Sequence, residues 1–210
     1  MVTPAQGIHL NNAPFSGAVH QSRAESIYEV HFTVNNGNSL AFWFFPQDLG
    51  DRWGFCPTEE LFNLYGPTDS RRDASIQVGS SSGRRYINKY ARLSTGDDNL
   101  ILLRLAEMYL IRAEANARLS APDATVLADI NIVRNRAGAA PVAVTGQANL
   151  LNAVLNELRL ELAFERHRFF DLRRLGMAET TLQIAANRLV LPIPQAELDV
   201  NTNLTQNPGY

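Results

Sequence analysis

Hydrophobic and polar positions change rhythm along this chain. Tyr28, Val30, Phe32 and Val34 alternate with Glu29, His31 and Thr33, a period of two that predicts a strand. Asn35-Asn36-Gly37-Asn38 follows, and Asn-Gly supplies the positive φ angles of a tight turn. Residues 40–45, closed by Pro46, then predict the returning strand of a hairpin. Both faces of that run are apolar, so one is expected on the core and the other against something else. A Gly- and Pro-rich loop spans residues 47–57. Thr58 is placed to N-cap a short helix that packs through Leu61, Phe62, Leu64 and Tyr65 and stops at Gly66-Pro67. A second hairpin is predicted from residues 74–78 and 85–90, joined by Gly79-Ser80-Ser81-Ser82-Gly83.

From about Asn99 the period becomes helical. Leu102, Ala106, Tyr109, Ala113 and Ala117 fall on one stripe of a helix predicted over residues 98–119. Ser120-Ala121-Pro122-Asp123 opens a second helix with Val126, Ile130, Val133 and Ala137 on its inner face, stopped at Gly138. The short connection makes the two antiparallel neighbours, one helical hairpin of tetratricopeptide type. A lone repeat of this kind leaves an apolar face uncovered, since such units are stable in stacks of about three or more. A third helix is predicted over residues 149–175, with Leu151, Val154, Leu155, Leu158, Leu162, Phe169 and Leu172 on one side. The fold class is therefore mainly α, a tetratricopeptide-like hairpin of the alpha-alpha superhelix type with added β-hairpins and long loops. Two regions are expected: a loop- and hairpin-rich part over 1–98 and a helical part with an extended tail over 99–210.

Composition narrows the function. The formal charge is −2, from 19 basic and 21 acidic side chains, which excludes a basic nucleic-acid footprint as the main activity. Hydrophobic residues make up 45% of the 210 positions, enough for a real core. No apolar run is long enough for a membrane span, and residues 1–4 open no signal-peptide pattern. As it stands the chain reads as cytosolic or as a piece of something longer. Cys56 is the single cysteine, so neither a disulfide framework nor a thiolate metal site is expected. All basic residues but Lys89 are arginine, whose planar fork suits bidentate pairing with carboxylates.

One pattern invites a chemical reading. Glu157, Glu161 and Glu165 stand at i, i+4 and i+8, with Arg168 and Asp171 continuing the strip. Three carboxylates on a nearly buried helix suit acid–base work or a carboxylate-bridged metal pair. A metal pair of that kind calls for Glu-x-x-His on paired helices, and His167 is two residues past Glu165. The competing reading is an ion-pair network. Buried charge without partners costs several kcal/mol per ion, and Arg104, Arg112, Arg134, Arg136, Arg159 and Arg168 are available. The abundance of guanidinium groups favours the network. GxSxG, Walker and GxGxxG patterns are missing and the four histidines are scattered, so no catalytic residue, metal or cofactor is assigned.

The same blocks resemble the SusD/RagB family. They are Leu105-Ala106-Glu107-Met108-Tyr109-Leu110-Ile111-Arg112-Ala113-Glu114-Ala115, Ile130-Asn131-Ile132-Val133-Arg134-Asn135-Arg136-Ala137-Gly138, the stretch from Glu157 to Arg174, and the tail with Leu191-Pro192-Ile193-Pro194 and Gln206-Asn207-Pro208-Gly209-Tyr210. Glu25-Ser26-Ile27-Tyr28-Glu29-Val30, and Asp69 with Arg71 ahead of Lys89-Tyr90, are similar too. Two departures occur: Leu158 stands where the family usually has Arg, and Arg166 where it usually has Gly. Both are expected to touch the pairing of the glutamate ladder. The resemblance covers nearly the whole chain but the C-terminal half or less of a typical member. It implies a surface lipoprotein of Bacteroidota that sits over a SusC-type TonB-dependent outer-membrane transporter and binds glycans for import. It also implies that the signal peptide, the lipid-bearing cysteine and most helical repeats belong to a front part not in this chain.

Glycan contact then becomes a question of aromatic platforms. Sugar rings present apolar C–H faces on which flat side chains stack. Thirteen of eighteen Phe, Tyr and Trp residues precede residue 91, and Trp43 and Trp53 are the only tryptophans. Trp53, flanked by Arg52 and Gly54 on a loop, is the better candidate, and Trp43 also reads as hairpin core; Arg52 and Phe55 complete the candidate set, with Asp51, Asn38 and Phe45 close in sequence. The leading expectation is a non-catalytic glycan-binding component of an outer-membrane uptake complex. The alternative is an interaction module that docks on the transporter without carbohydrate contact. An enzyme acting through Glu161 ranks third.

Overall fold

The structure, a computed structural model, describes residues 25–210. His9, His20 and residues 1–4 lie outside the described residues. The chain divides into two compact units, Met1–Glu165 and Arg166–Tyr210. The protein is mainly helical, as the patterning predicts.

Three helices form the centre of the first unit. They are α4 (Leu105–Arg118), α5 (Asp123–Arg136) and α6 (Gln147–Glu161). Ala106, Leu110, Ala113 and Ala117 of α4 pack with Val126, Ile130 and Val133 of α5 and with Leu150, Val154 and Leu158 of α6. The alanines let the neighbours approach closely, and each buried Leu, Ile or Val contributes roughly 1.5–3 kcal/mol. The α4–α5 pair is the predicted tetratricopeptide-like hairpin. Gly138 ends it in the left-handed region, at φ 67°, and the Ala139 N–H bonds back to the Arg134 carbonyl.

Around this centre the smaller elements differ from expectation in three places. The first strand exists as β1 (Ser26–Val30), but its partner is β4 (Leu100–Arg104), antiparallel and some seventy residues on. Residues 40–45 do not return as a strand. Leu40–Phe44 is helix α1, with Ala41 and Phe44 buried three residues apart, a helical spacing. A run apolar on both faces carries no period, so tertiary context decides it. Nor does Gly37 make the turn: the backbone bridge closes between Thr33 and Asn36. Gly37 instead abuts Gly96, where a Cβ would lie 3.1 Å from the Thr95 carbonyl oxygen. Asn38 and Asn99 then tie the two stretches together, the Asn38 side chain donating to the Asp98 carbonyl at 2.7 Å and the Asn99 side chain accepting from the Phe32 N–H at 3.0 Å.

The second correction follows from the first. The helix predicted over 98–119 begins at Leu105, because Leu100–Arg104 is strand β4. The third concerns residues 149–175. Helix α6 ends at Glu161, and α7 (His167–Arg174) starts after a break in which Phe164 and Arg166 take φ angles of 67° and 69°.

Other expectations hold. The Thr58 hydroxyl accepts from the Leu61 N–H at the start of α2 (Glu59–Leu64). Helix α3 (Ser70–Ser75) is capped by Asp69 and runs into the predicted second hairpin, β2 (Ile76–Val78) against β3 (Arg85–Ile87). The buried Tyr65 hydroxyl donates to the Leu160 carbonyl at 2.9 Å and joins the α2 end to α6. The second unit contains α7, α8 (Ala178–Leu182), α9 (Gln195–Val200) and a tail in which the Tyr210 hydroxyl donates to the Val190 carbonyl.

Candidate functional site

Two places concentrate chemistry: the glutamate ladder and an aromatic surface on α1 and the loop that follows it.

The ladder is a buried ionic network. Glu157 accepts from Arg71 at 2.5 Å and Arg134 at 2.7 Å. Glu161 accepts from Arg71 at 2.9 Å and also from Arg104 and Arg136. Glu165 accepts from Lys89 at 2.7 Å and Arg104 at 2.9 Å. Glu25 joins through Arg104 and Arg136, and Asp69 through Arg71. Five carboxylates thus meet five cations, and Arg104 at their centre is 1% exposed. Burial alone would raise the Glu161 carboxyl, but Arg104, Arg136 and Arg71 outweigh it and hold it well below the usual range. Glu165 is lowered for the same reason, by Arg104 and Lys89. Lys89 moves the other way from an ordinary amine, since burial lowers it more than Glu165 raises it.

The break after α6 belongs to this network. Ending the helix at Glu161 leaves carbonyls without intrahelical donors. Lys89 donates to the Ala163 carbonyl at 2.8 Å, and Arg104 to the Glu161 carbonyl at 2.7 Å. Cations at a helix C-terminus also suit its dipole. The rungs are therefore acceptors whose lone pairs are taken by guanidinium and ammonium donors, which makes them a clamp between segments distant in sequence. Among the described residues no group of three or more His, Cys, Asp or Glu is arranged to hold a metal ion.

The aromatic surface is built differently. Residues 52–55 run back along the end of α1. The Arg52 N–H donates to the Phe42 carbonyl, Trp53 to Phe45, and Gly54 to Trp43 at 2.8 Å. This zipper sets Phe42 edge-on to Trp43, with centroids 5.3 Å apart, and Phe55 beside Phe44. Gly54 is needed for the fit, because a Cβ there would meet the Trp43 ring at 2.9 Å. Trp43 is 44% exposed and Phe55 60% exposed. Trp53 is half-buried at φ 49°. Its indole N–H donates to the Arg85 carbonyl at 3.0 Å, and the Arg84 guanidinium lies 4.5 Å from its ring centre. Asp51, on the same loop, is buried, and burial pushes its carboxyl up.

This arrangement pairs the backbone of Arg52, Trp53 and Phe55 with that of residues 42–45; Trp43, Arg52 and Phe55 are exposed and Trp53 is half-buried. It opens Trp43 to solvent and covers Trp53 with Arg84. Phe42, exposed beside Trp43, is a surface aromatic that residue patterning did not single out. Only its neighbours in a run apolar on both faces pointed to it.

The sequence pattern of the SusD family matches residues 75–190, more than half of the chain. The chain belongs to the SusD family. Among curated relatives it is similar to SusD-like protein P2 of Formosa agariphila, 28% identical over 78% of this chain and 42% of that one. It is also similar to the starch-binding protein SusD of Bacteroides thetaiotaomicron, 35% identical over 54% of this chain and 22% of that one. A solved laminarin-binding SusD-like protein superposes with a TM-score of 0.80 at 27% identity, covering all of this chain and 55% of the other. The chain thus spans about half or less of the length of the relatives it matches.

The two positions expected to touch the ladder's pairing, Leu158 and Arg166, stand in different surroundings. Leu158 lies in the apolar core between α4, α5 and α6. Arg166 occupies a left-handed backbone position, which a glycine takes without steric cost. Among the described residues of this SusD-family chain, no helix is long and apolar enough to cross a membrane.

Proposed function

We propose that the chain is a glycan-binding component, with no catalytic step of its own, of a nutrient-uptake complex at the bacterial outer membrane. One observation carries the reading: a solvent-open group of aromatic rings, Phe42, Trp43 and Phe55, held on a hydrogen-bonded zipper. Rings fixed in this way offer flat apolar faces to sugar C–H groups at little entropic cost. The names of two relatives support it, one a starch-binding and one a laminarin-binding protein. Membership in the SusD family supports the finer reading, in which the chain works beside a SusC-type TonB-dependent transporter and is held at the cell surface through a lipid anchor.

Trp43 and Trp53 make the chain its own reporter. Intrinsic fluorescence titrated against soluble polysaccharides, starch and laminarin among them, is expected to quench and shift with at least one. A flat response to every polysaccharide removes the reading. Co-purification with the transporter that persists after both tryptophans are replaced, while no polysaccharide is bound, replaces it with a docking role.

A further inference from the structure

We propose that the glycan taken by this surface is acidic, carrying uronate carboxylates or sulfate esters along its chain; the inference rests on the glycan-binding reading above. Two guanidinium groups each lie on an aromatic ring of this stretch. Arg84 lies over Trp53, and Arg52 lies 5.7 Å from the centre of the Phe42 ring. Both side chains are exposed, and neither has a carboxylate partner among the described residues. That sets them apart from their neighbours: Arg72 is paired with Asp73, Arg85 with Glu59, and Arg159 with Glu60. Acidic side chains outnumber basic ones in this chain, yet these two guanidinium groups, each lying on an aromatic ring, are left open to a partner from outside.

The donor chemistry specifies that partner. A guanidinium offers five N–H donors and no acceptor. A sugar hydroxyl both gives and accepts a hydrogen bond, and is half served by a donor-only group. A carboxylate or sulfate only accepts, and its two oxygens match the planar fork. Of the acidic side chains on the adjoining loops, Asp51 is buried, and Asp48, exposed, accepts from the Ser82 N–H at 3.2 Å. A guanidinium stacked on a ring is also partly stripped of water on that side, which strengthens its attraction for an anion at the ring edge. The surface thus pairs apolar faces for the sugar ring with cationic edges for its acidic substituent.

The test uses the full chain on a panel of immobilised polysaccharides: laminarin and soluble starch as neutral members, polygalacturonate as the uronate and carrageenan as the sulfated one. Preferential retention on one or both acidic members is expected, and which one tells carboxylate from sulfate. Salt at about 0.5 M should weaken it markedly, because exposed charge pairs are screened. Arg52→Gln and Arg84→Gln should each cost about fivefold in affinity at low salt, the order expected for an exposed charge-assisted contact. Circular dichroism checks that the variants stay folded, as expected for two exposed side chains. Neutral members bound as tightly as acidic ones, or acidic binding that survives the double variant, overturns the inference and leaves glycan binding standing. Retention on no member removes both.

Discussion

Arginine does two opposite jobs in this protein. Arg104 is buried, and its donors end on Glu25, Glu161, Glu165 and the Glu161 carbonyl. Arg52 and Arg84 are exposed, lie against aromatic rings and meet no carboxylate among the described residues. The same planar fork is a structural rivet in one place and an open recognition edge in the other. Burial and local acidity decide between the two. A buried guanidinium without carboxylates would be too costly to hold, whereas an exposed one keeps its water and can wait for a ligand.

The largest effect is expected where the fork is buried. Arg104→Met leaves Glu161 and Glu165 short of their shared cation and strips Glu25 of one of two. Breaking such a pair costs about 3–5 kcal/mol. Urea unfolding followed by circular dichroism should show a midpoint far below that of the parent chain, or no folded baseline. An unchanged midpoint would mean that the network adds nothing to stability. Acid attacks the same rivet through its other half. Glu161 and Glu165 titrate lower in the folded than in the unfolded chain, so the unfolded chain takes up protons first as pH falls. Their contribution is complete above the unfolded carboxylate range, near about 4.3, and disappears progressively below it. Thermal melts between neutral pH and pH 3 should show a falling midpoint, steepest below about pH 4. In Arg104→Met, if it folds, that slope should flatten.

The exposed region should behave in the reverse way. Trp43→Ala removes a ring already open to solvent, so stability should change little while polysaccharide affinity falls about tenfold or more. Trp53→Ala should do the opposite. It loses the indole bond to Arg85 and the platform under Arg84, and its stability cost should exceed its direct loss of stacking. Gly54→Ala is the gentler probe. Its methyl group forces the Trp43 ring to shift, changing stability by no more than about 1 kcal/mol while displacing the tryptophan emission and weakening binding less than Trp43→Ala. Equal effects on stability from Trp43→Ala and Trp53→Ala would erase the contrast drawn from their exposures.

How much of this was legible in the chain itself also divides along the two regions. Helices α4 to α6 were readable because Ala106, Ala113, Ala117, Val126, Ile130 and Val133 recur at helical spacing and are all buried. Strand β4 was not, because Leu100–Arg104 runs into α4 with no breaker between them. Helix α1 was not, because its five residues are apolar all round. In the ladder the glutamate spacing was visible, and Arg104, Arg134 and Arg136 were foreseen as partners. Glu25, Asp69, Arg71 and Lys89 were visible only as blocks of family resemblance. Arg71 reaches Glu157 across 86 residues of sequence, and no local period encodes a contact of that span. Among the surface residues, the loop position of Trp53 was readable, but its cover was not, since Arg84 arrives from the second hairpin.

Arg166 offers the smallest and sharpest test, because its own effect separates backbone from charge. It sits in the left-handed region at φ 69°, between the end of α6 and the start of α7. A side chain there carries a steric cost of about 1–2 kcal/mol that glycine escapes. Glycine in turn gives back roughly 0.5–1 kcal/mol through the greater freedom of the unfolded chain. Arg166→Gly is therefore expected to stabilise by about 1 kcal/mol or less, read as a small rise in the urea midpoint with the acid slope unchanged. Arg166→Ala keeps the strained backbone and removes only the charge, so it should not stabilise. If Ala and Gly raise the midpoint equally, the cost at this position lies in the guanidinium, and a third electrostatic role for arginine must be added to the two distinguished above.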